Sequence, residues 1–157
     1  MKLAEALALR ADSARRIEQL RTRIMSNARH QEGEEPAEDA SALLNEVGAV
    51  IGEFETLLRR INRTNTAAHI GPQEGTITDA LARRDALRLR HSVVTAAADA
   101  AAGGNQGGYA RQLRSELKMF SALPVAELRA RADELARELR ELDVRIQRAN
   151  WEVDLLE

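Results

Sequence analysis

VAELRARADELARELRELDVRIQRANWEVDLL, residues 125–156, carries apolar side chains at gaps of three and four without a break. They are Val125, Leu128, Ala132, Leu135, Leu139, Leu142, Ile146, Ala149, Val153 and Leu156. Sustained over more than four heptads, that spacing keeps one narrow stripe on one side of a helix about 48 Å long. Such a rod needs facing stripes on other helices. Pro124 stands at the first turn, where a missing N–H does no harm. The class this predicts is all-α: an antiparallel four-helix bundle with long coiled-coil-like helices and a small β-hairpin or extended element in the loops, with 1–157 as a single domain.

Three upstream segments supply the facing stripes. Residues 2–28 place Leu3, Leu7, Ala11, Ala14, Ile17, Leu20, Ile24 and Ala28 on one helical face. Gly33, Pro36 and a run of acidic residues then oppose continuation, and Asp39 or Ser41 can cap a second helix. That helix, 40–65, alternates gaps of four and three through Leu43, Val47, Val50, Phe54, Leu57 and Ile61. Leu44, Ile51 and Leu58 widen the stripe, so it can face two neighbours. On the far side Gly48 and Gly52 each cost about 1 kcal/mol relative to alanine. Two readings stand: close approach of another helix, including one from a second subunit, or two tolerated surface glycines.

The second stripe runs into Asn62, Arg63, Thr64 and Asn65, a candidate polar network with Arg84 and His91 that locks helix ends to a hairpin. The hairpin is expected within 66–78 around the Gly71–Gly75 turn, with Thr78 and Asp79 capping the third helix. That helix, 78–102, has two apolar arcs: Ala82, Ala86, Leu89, Val93, Ala97 and Ala100 on one, and Ala80, Leu87, Val94 and Ala98 on the other. A helix apolar on two sides is sandwiched between neighbours. Gly103–Gly108 reads as a flexible connector, and 113–119 alternates apolar with polar in steps of two, as an extended segment does. Pairing two extended segments from opposite ends of a bundle is simplest with a partner chain, which favours a homo-oligomer. Gly48, Gly52 and Trp151, the last on the outer side of the final helix, are the candidate oligomer contacts.

Charged residues make up 31% of the 157 and aromatics 3%, the composition of long helices rather than of a sheet sandwich. Lys and Arg number 23 against 25 Asp and Glu, so no global charge draws nucleic acid or anionic lipid. The chain has no cysteine, hence neither disulfides nor thiolate metal sites, which suits the cytoplasm. Residues 1–7 are too charged for a signal peptide, and no run reaches the roughly 18 apolar residues of a membrane span.

Several phrases together resemble a family of small uncharacterised bacterial proteins known as septicolysin-like. They are Met1–Leu7, Gln31–Asp39, Ile61–Asn65, Thr78–Asp85, Ser115-Glu116 and Asn150-Trp151, spanning nearly the whole chain. The resemblance implies membership, and the family name implies a cytolysin; no family motif maps onto numbered residues here.

Chemistry-bearing patterns are sparse. No Glu lies three residues before His30, His69 or His91, so the paired Glu-x-x-His of di-metal bundles is missing. His30 with Glu34, or His69 with Glu74, needs further ligands to hold a metal. Gly103–Gly108 lacks the Lys-Ser/Thr of a phosphate loop, and no serine sits in a strand-turn-helix elbow. Arg15-Arg16, Arg59-Arg60 and Arg83-Arg84 can align into a basic stripe, the main alternative, although neighbouring carboxylates can pair with them. The reading is a self-associating helical structural or interaction protein in the cytoplasm, with no catalytic residue, cofactor, metal or small-molecule substrate assigned. A nucleic-acid-associated protein, a metal-binding protein and a cytolysin are the alternatives.

Overall fold

A computed structural model describes residues 1–72, 74–103 and 117–157. Four helices, α1 (Leu3–Asn27), α2 (Ala40–Ala67), α3 (Ile77–Ala101) and α4 (Val125–Glu152), and a two-stranded antiparallel hairpin, β1 (His69–Gly71) with β2 (Gly75–Thr76), make an all-α fold. The first three helices begin and end within two residues of the periodicity reading. The chain divides into two compact units, Met1–His69 with Gln147–Glu157, and Ile70–Ile146.

Caps set the starts. The Asp39 carboxylate accepts the Ser41 and Ala42 amides at 2.8 and 3.3 Å, opening α2. The cap of α3 is Thr76 rather than Thr78: Thr76 Oγ1 accepts the Asp79 amide at 3.2 Å, and Asp79 Oδ2 accepts the Thr76 amide at 2.9 Å. This reciprocal box draws the helix start back to Ile77. Gly75 just before it has φ +72, and a Cβ there would lie 2.7 Å from Asp79 Oδ2, so the box requires glycine at that corner.

In the first unit α1 and α2 run antiparallel. Arg16 pairs with Glu46 of α2 at 3.0 Å and Arg23 with Glu38 just before it, partners falling in number as they rise on α1. Leu20, Leu43 and Val50 are buried between them, with Ile17, Ile24 and Val47 packed alongside. The α1 stripe lapses in its middle: Ala11 and Ala14 are exposed and Ser13 takes the half-buried position.

The residues after α4 belong to this unit and overturn one expectation. The final helix stops at Glu152 instead of reaching residue 156, and the tail runs extended. Leu3 N–H donates to the Val153 carbonyl at 3.0 Å and Leu155 N–H to the Met1 carbonyl at 2.9 Å, flanking an antiparallel bridge between Lys2 and Asp154. Lys2 Nζ lies 2.8 Å from Asp154 Oδ1. The other side of the tail meets the end of α2. Arg60 Nε donates to the Leu156 carbonyl at 3.0 Å, Arg63 to the Glu157 carbonyl at 2.8 Å, and Leu156 N–H to Thr64 Oγ1 at 3.0 Å. In an extended tail side chains alternate, so Leu155 is buried while Leu156, the seam residue by helical count, is 46% exposed.

In the second unit α3 and α4 are antiparallel, tied by Arg129–Asp99 at 2.7 Å and Arg88–Asp143 at 3.8 Å. Ala80, Leu87, Leu135, Leu142 and Ile146 form the core, with Ile70, Leu81, Val94 and Leu139 against it. Glu74, in the hairpin turn, is buried; its Oε1 lies 2.9 Å from Arg145 and 3.8 Å from Arg83, so one carboxylate joins the turn to both helices. Leu117–Met119 has no strand pairing among the described residues; residues 113–116 of the expected extended segment and 104–108 of the connector lie outside them.

Three outcomes follow from this packing. Leu142 is 1% exposed, so Leu142→Ala is expected to lower unfolding free energy by about 2–5 kcal/mol in urea titration. Thr64→Val leaves the Leu156 amide without its acceptor and is expected to cost about 1–2 kcal/mol in the same assay. The Lys2 ammonium, through its hydrogen bond and then its charge, holds the Asp154 carboxyl below its ordinary value. A depressed carboxyl stabilises the fold above its unfolded pKa, and that contribution is lost as pH falls through the folded value. Asp154→Asn is therefore expected to flatten the acid limb of a thermal-midpoint profile below about pH 4, with less effect on its slope near neutrality.

Candidate interaction surface

Helix α3 is apolar on two sides, and its own unit covers one of them. Ala80, Leu87 and Ala98 are buried and Val94 is half-buried on the side that holds the core. On the opposite side Leu89 is 69% and Val93 67% exposed, and Ala82, Ala86 and Ala100 are exposed with them. Ala97, placed in this arc by the helical wheel, is half-buried; Ala96 is exposed and takes its place. The open stripe then reads Ala82, Ala86, Leu89, Val93, Ala96, Ala100, with gaps of four, three, four, three and four. All six fall within about 80° of one another around the helix.

At its C-terminal end the stripe meets a second apolar feature. Ala97, Ala100, Met119, Phe120 and Leu123 line an open groove of about 480 Å³. Phe120 is 84% exposed and Met119 74%. Ser121 Oγ donates to the Leu123 carbonyl at 2.6 Å, which shapes the turn before α4. The carboxylates flanking the stripe are matched within the unit: Asp85 lies 3.4 Å from Arg84 and 3.8 Å from Arg88, and Asp99 is paired with Arg129. Arg90, also exposed, has no ion pair among the described residues.

The residues singled out in the sequence fall in different places. Gly48 and Gly52 are exposed, and a Cβ at either would meet nothing within 4 Å among the described residues. Gly52 lines a groove of about 500 Å³ with Leu9, Ser13, Thr56, Leu57 and Arg60. Trp151 is 63% exposed; the tail that could have folded over it runs instead between the starts of α1 and the end of α2. Thr64 is fully buried, donates to the Arg60 carbonyl at 2.8 Å and serves the tail together with Arg63. Arg63 and Thr64 of the polar cluster thus grip the C-terminal tail. Asn62 is exposed, its carbonyl accepting from Thr66 Oγ1 at 3.1 Å, and Asn65 is half-buried. Arg84 and His91 belong to the second unit, Arg84 beside Asp85 and His91 half-buried.

Sequence reading missed Arg60 as a tail contact, Glu74 as a buried junction and Phe120 as a surface feature. The run Met119–Leu123 just before Pro124 was the available signal for the last. The arginine pairs are largely engaged within the chain: Arg15 by Asp12, Arg16 by Glu46, Arg59 by Glu55 at 2.8 Å, Arg83 by Glu74 and Arg84 by Asp85. Of the loosely spaced metal candidates, His30 Nδ1 lies 3.1 Å from the Gln31 carbonyl, and Glu74 is taken up by its two arginines. Among the described residues no three of His, Asp and Glu are grouped to hold a metal ion, and no helix is long and apolar enough to cross a membrane.

Comparison with known proteins places the chain without assigning a role. A crystal structure of a functionally unknown conserved protein from Corynebacterium diphtheriae matches at 38% identity and a TM-score of 0.88, covering 99% of this chain and 99% of that one. No curated protein matches. The model of a family of unknown function, DUF6847, matches residues 10–155. Agreement of sequence and fold over nearly the full length makes this chain a member of the DUF6847 family of unknown function.

Proposed function

We propose that the chain is a self-associating helical module whose role is structural or adaptor-like rather than catalytic. The observation that carries the reading is the open stripe of α3, with Leu89 and Val93 two-thirds exposed in a heptad-like seam. Scattered surface leucines are ordinary, but a seam with gaps of four and three is what a helix offers another helix. Phe120 and Met119 extend the same apolar surface, so water contacts a contiguous patch rather than single side chains. The arginine pairs favour this reading over nucleic-acid binding, because internal carboxylates take up most of their charge.

Native mass tests the proposal. The chain alone is 17.3 kDa, and a multiple of that mass is expected in sedimentation, together with a thermal midpoint that rises with protein concentration. A 17.3 kDa species at every concentration, with a midpoint independent of concentration, overturns it.

A further inference from the structure

We infer that α3 packs antiparallel on α3 of a second copy of this chain, about a two-fold axis level with His91. The pairing presupposes the self-association proposed above and adds which surface is used and in which direction. The order of side-chain sizes along the seam selects the occupant. Ala82, Ala86, Leu89, Val93, Ala96 and Ala100 run small, small, large, large, small, small, and the gaps read the same in either direction. Reversing the helix about residue 91 therefore superimposes the seam on itself, the self-complementarity that an isologous contact requires. Leu89 comes level with Val93 of the second copy, and Ala82 with its Ala100. Alanine at both ends lets the helix axes approach to the short end of the usual 8–10 Å range.

The knob beside the stripe fits the same arrangement. Phe120, Met119 and Leu123 project near Ala97 and Ala100, and reversal brings them level with Asp85 and Ala82 of the other copy, where the alanine leaves room for an apolar side chain. Leu89, Val93, Met119 and Phe120 are each at least two-thirds exposed and Leu123 nearly half, with the four alanines exposed beside them, so the surface is apolar along its length, as the core of an interface taking about 800 Å² from each partner must be. Arg90 of each copy flanks the axis, so like charges oppose the contact and added salt should hold or strengthen it. An association driven by opposite charges would weaken instead.

The chain lacks cysteine, so introduced thiols report proximity without background. In the antiparallel pairing Ala82 faces Ala100 of the other copy, while two Ala82 positions lie about 27 Å apart along the helices. Ala82→Cys and Ala100→Cys proteins are prepared separately, mixed under reducing conditions and then oxidised. A disulfide-linked dimer is expected from the mixture and from neither protein alone. Linkage of Ala82→Cys with itself, or no linkage in the mixture, overturns the pairing. The double variant Leu89→Glu, Val93→Glu changes residues already facing water, so its helicity is expected to match the parent; its dimerisation is expected to weaken at least about 100-fold. If the parent is dimeric and this variant remains so with parental affinity, self-association stands and α3 is the wrong surface. If the parent is monomeric throughout, both fail.

Discussion

Burial of the α4 stripe against α3 governs the second unit. Leu135, Leu142 and Ile146 leave water only where α3 presents Ala80 and Leu87 at matching heights, and each large side chain so buried contributes about 1.5–3 kcal/mol. The match fixes the antiparallel direction and, with it, the heights at which Arg129 meets Asp99 and Arg88 meets Asp143. It also commits one side of α3 to α4 and turns the other outward. A rod cannot present opposite faces to the same neighbour, so α4 cannot cover the second seam.

Where the sequence was legible, it was because many weak signals repeated. The stripe of α4 recurs over so many turns that helix type and inward face follow from spacing alone, and Ala132, Leu135, Leu142, Ile146 and Ala149 are buried as that spacing requires. The end of the helix was not legible. Val153 and Leu156 continue the helical count, yet backbone bonds to Met1 and Leu3 outcompete one more helical turn, and such partners lie about 150 residues away in the chain. Thr64 and Glu74 were obscure for the same reason: a buried polar side chain is recognisable only once its partners are in place.

The two arcs of α3 are instructive in another way. Periodicity identified both, and it could not say which lay inside; the structure fills one with α4 and leaves the other apolar and wet. Local pattern and tertiary packing usually agree, and the places where they part are candidates for function. Here the excess is an entire seam that the described residues of the helix's own unit leave exposed. Membership in a family of unknown function leaves that physical mismatch as the main pointer to what the chain does.

Joining Lys2 to Asp154 and Leu3 to Val153 closes a loop that contains nearly all of the sequence. During synthesis the first helix emerges long before its anchoring strand exists, and the joint can be made only after residue 155 has cleared the ribosome. Helices α1 and α2 can zip together as a local hairpin in the meantime, since their contacts span a short stretch of chain. The stitch thus follows the helices it fastens, and a nascent chain that still lacks residues 153–157 carries Thr64 and Arg60 with their acceptor and donor sites unclaimed by the tail.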